Sequence, residues 1–240
     1  MSRAFRAFLI TVTALVLAAV PAAAQMPTPD ETKATVPALD AMHEVIMPLW
    51  HEAWPNKDVK AMTAMLPDIE RHMAAIAKAE LPGILREKRA AWAAGVTDLQ
   101  AAVTAYKAAV GKGDNEALLK AGEQLHSKYE GLVRVVQPPL KELEDFHSSL
   151  YVLYHYQLSP FDLAKVSASV ESLKVKMGVP SKATLPARLK AKTDAFNAQR
   201  ALLGKAVDDL AATLPAKNEG KIKAAVEAMH AQYEALEKLL

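Results

Sequence analysis

The chain repeats itself at an offset of 104 residues, without a gap, and this constrains its fold more than any other feature. Trp50-His51 returns as Tyr154-His155, Asp58 as Asp162, Met73 as Met177, and Leu81-Pro82 as Leu185-Pro186. His126-x-x-Tyr129-Glu130 returns as His230-x-x-Tyr233-Glu234. A unit of about 100 residues can bury a core of its own, unlike the short units of solenoids. The pattern predicts a tandem duplication, with one copy over Val36 to Val136 and the second over Leu140 to Leu240. Gln137-Pro138-Pro139 lies between them. Two successive prolines remove two amide donors and disfavour helix just before them, so the break is expected there.

Each copy reads as four helices. In the first copy they are expected over Pro37 to Trp54, Asp58 to Ala79, Pro82 to Val110 and Asn115 to Val136. In the second they are expected over Leu140 to Leu158, Phe161 to Met177, Pro186 to Leu214 and Lys217 to Leu240. Abundant alanine, scarce glycine and few β-branched runs favour helix throughout, and no segment reads as a strand. Four helices joined by short loops predict an up-and-down bundle. The expected fold is all-α: two tandem up-and-down four-helix bundles over residues 37–136 and 140–240.

The N-terminus has a different character. Arg3 and Arg6 precede an apolar run from Ala7 to Val20, and Ala22-Ala23-Ala24 offers a small-residue cleavage site. Residues 1–24 therefore read as a secretory signal peptide, and 25–36, with Pro27 and Pro29, as a flexible leader. Cleavage would take the formal charge from +2 to zero by removing Arg3 and Arg6. A neutral, mixed surface argues against nucleic acid or anionic lipid as partner, and no later segment has the ~18 apolar residues of a membrane span. The expected location is the periplasm. The sequence contains no cysteine, so disulfides, thiolate ligands and haem thioethers are all closed to it.

Histidine is the residue the repeat singles out. Six of the seven pair across the offset: His43 with His147, His51 with His155, and His126 with His230. His72 faces Lys176 and reads as an exposed surface residue. Imidazole is the commonest protein metal ligand and a poor core filler, so three retained per copy point to metal. His43, Met47 and His51 share one edge of the first helix, as do His147, Tyr151 and His155 in the second copy. At 1.5 Å per residue, His126 lies roughly 18 Å into the fourth helix and His43 roughly 16 Å from the end of the first. Equal height predicts a His43/His126 site, with Met47 or one of the flanking carboxylates Glu123 and Glu130 completing it, and a His147/His230 site in the second copy. His51 either completes the same site or forms another with Asp58. The plain alternative is that each histidine is only a boundary residue donating a hydrogen bond. Trp50, Trp92 and Met73 read as core bulk.

His126-Ser-Lys-Tyr129 and His230-Ala-Gln-Tyr233 resemble the end of the haem motif in cytochrome c-prime-type four-helix bundles. There the axial histidine on helix four follows a Cys-x-x-Cys and precedes an aromatic residue three places on. Here Gly122 and Leu125, then Val226 and Met229, stand at the cysteine positions. The resemblance implies a four-helix bundle. Related b-type bundles hold haem without cysteine, between a helix-one methionine and the helix-four histidine. Met47 or Met42 with His126 suits that pattern, whereas Tyr151 or Phe146 with His230 departs from it.

The reading that results is an exported, non-enzymatic metal-binding protein with one histidine site per bundle. It would buffer or deliver zinc or copper, since imidazole suits both and thiolates are absent, and would work with the ion and a periplasmic protein partner. Non-covalent haem b binding or electron transfer, and a metal-free helical interaction module, are the alternatives. No Gly-x-Ser-x-Gly, His-Glu-x-x-His or glycine-rich phosphate loop points to hydrolysis.

Overall fold

A computed structural model describes residues 26–28, 30–137 and 140–240. The expected signal peptide and the Pro138-Pro139 pair lie outside the described residues. The protein is all-α: among the described residues, one isolated bridge between Leu158 and Phe161 is the sole extended pairing. Helices α1 (Pro37–Pro48), α2 (Val59–Ile76), α3 (Arg89–Lys112) and α4 (Asn115–Val136) form the first half. Helices α5 (Glu144–Val152), α6 (Leu163–Lys176), α7 (Thr193–Thr213) and α8 (Glu219–Glu237) form the second.

The 104-residue offset recurs in the element boundaries. Helices α2, α3 and α4 begin at Val59, Arg89 and Asn115, and α6, α7 and α8 at Leu163, Thr193 and Glu219. The caps match too. Asp58 accepts from the Ala61 amide at 2.9 Å, and Asp162 from Ala164 and Lys165 at 3.1 Å. Asp114 accepts from Ala117 at 3.0 Å, and Asn218 from Lys221 at 2.9 Å. Each cap satisfies an amide that the first helical turn leaves without a partner.

Two details depart from the expected helices. The third helix of each copy does not start at its proline: Pro82 and Pro186 are extended, and 3₁₀ turns over Gly83–Lys88 and Ala187–Lys192 lead into α3 and α7. The first helix of each copy ends in a π turn, Leu49–Ala53 and Leu153–Gln157. Pro48 precedes one and Val152 the other, so a proline is not required for it. A π turn inserts a residue and rotates everything beyond it relative to the α stripe, and such turns are frequent at functional sites.

Packing follows the chain. In the first half α1 lies on α2, α2 on α3, α3 on α4, and the π turn returns onto α4. The second half repeats this order, with its π turn against α8. Two hydrophobic cores result. Met42, Ile46, Met62, Ile69, Tyr106 and Leu125 are fully enclosed in the first, and Phe146, Leu150, Val170, Phe196, Val226 and Met229 in the second. The cores are not wholly separate, because Tyr151 of α5 is buried in the first.

The segment expected to be a flexible leader is tied down. The Glu31 carbonyl accepts from the Ile84 amide at 2.9 Å, and its carboxylate from the Tyr156 hydroxyl at 3.1 Å. The Thr32 carbonyl accepts from Ser148 at 3.0 Å. Ala34 and Val36 are buried in the first core. The leader thus spans both halves.

Removing the second-helix caps should weaken both halves alike. Asp58→Ala and Asp162→Ala should each cost about 1 kcal/mol, the usual loss for an unsatisfied N-terminal turn. Urea unfolding monitored by circular dichroism measures this.

Candidate metal centre

The seam between the halves is built around the 3₁₀ turn Gly83–Lys88, which lies against the π-turn end of α5 and against α8. Gly83 is required there: a Cβ would collide with the Tyr151 hydroxyl. Arg86 follows one turn later. Its Nε donates to the Gly83 carbonyl at 3.0 Å, and Nη2 donates to the Tyr151 hydroxyl. The guanidinium carbon stands 4.9 Å from the Tyr151 ring centroid. Nη1 lies 3.2 Å from His155 Nδ1. Glu87 reaches the other side of the same imidazole, with Oε1 at 3.4 Å from Nε2. Lys88 pairs with Glu237 at 2.9 Å.

This arrangement fixes a tautomer. Arginine carries only donors, so His155 Nδ1 must accept, and the proton of the neutral ring sits on Nε2, facing Glu87. Burial pushes the Glu87 carboxyl up, but the hydrogen bonds from His155 and the backbone outweigh it and hold the group below its ordinary value.

His230 completes the cluster. Glu87, His155 and His230 each offer one ligand atom, and these lie within 4.8 Å of one another. The two imidazoles meet edge to face, with centroids 6.4 Å apart. His230 Nδ1 faces Glu234 Oε1 at 3.5 Å. Its ring stacks on Tyr154 at 4.0 Å, and Tyr154 is held by a 2.8 Å hydrogen bond to Glu227. That bond, more than burial, pushes the Tyr154 phenol up to about 12.

The other expected ligands are placed differently. His147 stacks on Tyr233 at 4.6 Å and is close enough to Glu87 and His230 to feel their charges, without being one of the three. Burial pushes it down to about 4, against the pull of Glu237 and Glu87. In the first half His126 stacks on Trp50 at 4.0 Å and 5°, the counterpart of His230 on Tyr154. His43 stacks on Tyr129 at 6.3 Å, the counterpart of His147 on Tyr233. His43 and His51 are exposed, and Met47 is 50 % exposed. The carboxylates of Asp58 and Asp162 are engaged as helix caps, accepting from the amides of the turns that follow. His72, expected at the surface, is 6 % exposed and takes a 3.1 Å contact from Arg71 to Nε2.

The three-residue group joins His230 to His155 and Glu87, a combination that helix height alone did not single out. A straight helix keeps positions i, i+4 and i+8 on one edge, but the π turn swings His155 off that edge toward α8. Glu87 was missed altogether. It lies on a 3₁₀ turn of the other half, and its own counterpart is Ala191, so the repeat carried no signal for it.

His147 makes the second half sensitive to acid. A histidine held neutral in the folded state and ordinary when unfolded destabilises the fold once the unfolded state binds the extra proton. Stability should fall as pH drops from about 6.5 toward about 4, by at most about 3 kcal/mol for this one group. Urea midpoints across that range should flatten in His147→Leu, and the His147 ring signal in an NMR titration should stay neutral well below the ordinary imidazole value of about 6.5. No family model, curated protein or solved structure matches this chain.

Proposed function

We propose that the chain is an exported periplasmic metal-binding protein, made of two tandem up-and-down four-helix bundles, that holds one zinc or copper(II) ion at their seam. The observation behind this is the convergence of Glu87, His155 and His230, drawn from both halves, with ligand atoms within 4.8 Å of one another. Two imidazoles and a carboxylate suit either ion, and three protein ligands leave a fourth position open, as exchange with a protein partner requires. A proton on His230 Nδ1 directed at Glu234 leaves Nε2 with its lone pair, the carboxylate-backed orientation common among ligating histidines. Metal–nitrogen bonds are about 2.0–2.1 Å, so the three groups must draw together on binding. Glu87, exposed on a short turn, is the one with room to move. The reading gives one ion per chain in place of one per bundle, because Ala191 supplies no carboxylate where Glu87 would recur. Buffering or delivery fits these residues better than turnover.

Arg86 opposes the ion. With metal on Nε2 the His155 proton must move to Nδ1, where an arginine finds no acceptor. Ion and guanidinium therefore compete for His155. The same network favours a second reading, a metal-free interaction module, since the Arg86–His155–Glu87 chain satisfies all three groups by itself. Haem b has no comparable support: one face of His126 is taken by Trp50, and the space beside Gly122 is filled by Met62 and Trp54.

Titration of the full-length chain with zinc and with copper(II), followed by calorimetry and elemental analysis, separates the readings. One ion per chain is expected, weakened at least about tenfold in Glu87→Gln or His230→Ala and strengthened in Arg86→Met. Binding should decline below about pH 6.5, as protons compete for the imidazoles. At an ion concentration of 100 times Kd, the fold should gain about 2.7 kcal/mol, read as a shift in Tm. Absence of binding in both wild type and Arg86→Met would sink the metal reading and leave the metal-free one.

A further inference from the structure

The in-chain seam is used once, but the repeat supplies its two sides twice. The second half presents the receiving face, where Tyr151 and His155 lie beneath the first half's turn Gly83–Lys88. The corresponding receiving face of the first half carries Met47 and His51 and is uncovered: Met47 is 50 % exposed, where its counterpart Tyr151 is 1 %. The turn corresponding to Gly83–Lys88 is Ala187–Lys192, and its Arg188, Lys190 and Ala191 all face solvent. Each chain therefore ends in an unused face on one side and an unused turn on the other.

The two unused surfaces differ from the in-chain pair in ways that match each other. Gly83 has no room for a Cβ because of the Tyr151 hydroxyl. At the free turn this residue is Ala187, and at the free face the tyrosine is Met47, which lacks the hydroxyl. Charge shifts in step. The in-chain turn has one net positive charge, from Arg86 and Lys88 against Glu87, whereas the free turn has three, from Arg188, Lys190 and Lys192. On the in-chain face, Ser148 and Tyr156 bind the leader at Thr32 and Glu31, beside Ile84. On the free face those positions are Glu44 and Glu52, both exposed, and the residue at the Ile84 position of the free turn is Arg188. The face has become more acidic as the turn has become more basic, and Tyr156 stands 5.7 Å from the Tyr151 ring that carries Arg86, so its counterpart Glu52 would stand near Lys190, the counterpart of Arg86.

We infer that a second copy of this chain docks its turn Ala187–Lys192 on the first-half face of its neighbour, repeating the in-chain seam between molecules. Such a contact joins different surfaces on the two partners, so it builds head-to-tail dimers and longer chains unless a ring closes. It does not depend on metal, because Ala191 brings no carboxylate to the new junction. Paired charges at its rim make it salt-sensitive.

Sedimentation velocity of the protein expressed from its complete sequence, over a concentration series in low and high salt, tests this with no added metal. Association that grows with concentration and fades in salt is expected. The variant R188E/K190E should weaken it about tenfold or more, since like charge would then stand near Glu52 on a face that also carries Glu44. M47Y should weaken it through collision with the Ala187 methyl group, and M47Y/A187G should restore it by recreating the in-chain pair. All four substituted positions are exposed, and circular dichroism confirms that each variant folds. A protein that stays monomeric throughout, or association that ignores these variants, overturns the inference.

Discussion

Arg86 is the residue on which the relation between the halves depends. Its five N–H donors need oxygen or nitrogen lone pairs, and the seam supplies them from both sides: the Gly83 carbonyl from its own turn, and Tyr151 and His155 from the other half. A lysine there would hold fewer of these acceptors, because a point charge lacks the planar fork that meets three at once. By taking the Nδ1 lone pair, Arg86 also decides where His155 carries its proton, and so which way Glu87 turns. Tyr151 explains why the two cores touch. Its ring lies in the first core while its helix belongs to the second half, with the hydroxyl wedged against Gly83 and the guanidinium.

Around this point the two halves solve the same packing problem with different degrees of shelter. Equivalent histidines stack on equivalent rings, His126 on Trp50 and His230 on Tyr154, yet only the second-half pair is roofed by a turn from elsewhere. That roof brings a carboxylate and a guanidinium to His155, whereas His51 stays in solvent. Two identical sets of imidazoles thus acquire unlike chemistry from what covers them. The difference lies at Glu87, whose counterpart in the repeat is Ala191.

Much of the fold was legible because it is written in local rules. Expected helix starts at Asp58, Asn115, Phe161 and Lys217 lie within two residues of the observed ones, where Asp58, Asp114, Asp162 and Asn218 act as caps. Between the expected third and fourth helices, Gly113 takes the left-handed backbone that glycine allows, φ 66°. The site was legible only in part. His155 and His230 stood out as retained residues, but the π turns have no sequence marker, since proline precedes one and valine the other. Glu87 came from a turn whose docking partner lies about 70 residues further along the chain, and no periodicity encodes such a contact. His72 was misjudged because its surroundings are set by tertiary packing and its neighbour Arg71, not by the polarity of the residue.

The leader has a consequence for the order in which the molecule is assembled. Its bonds to Ser148 and Tyr156 join residues 116 and 125 positions apart. Those partners do not yet exist when the first half leaves the ribosome, and the entropy of closing so long a loop must be met before the contact gives anything back. The first half can collapse around its own stripe before Ser148 and Tyr156 are available to it. The strap fastens after that half has formed its own helices. The earliest part of the described chain to be synthesised is then among the last to find its final place, and its docking marks the moment at which two separate folding events become one molecule.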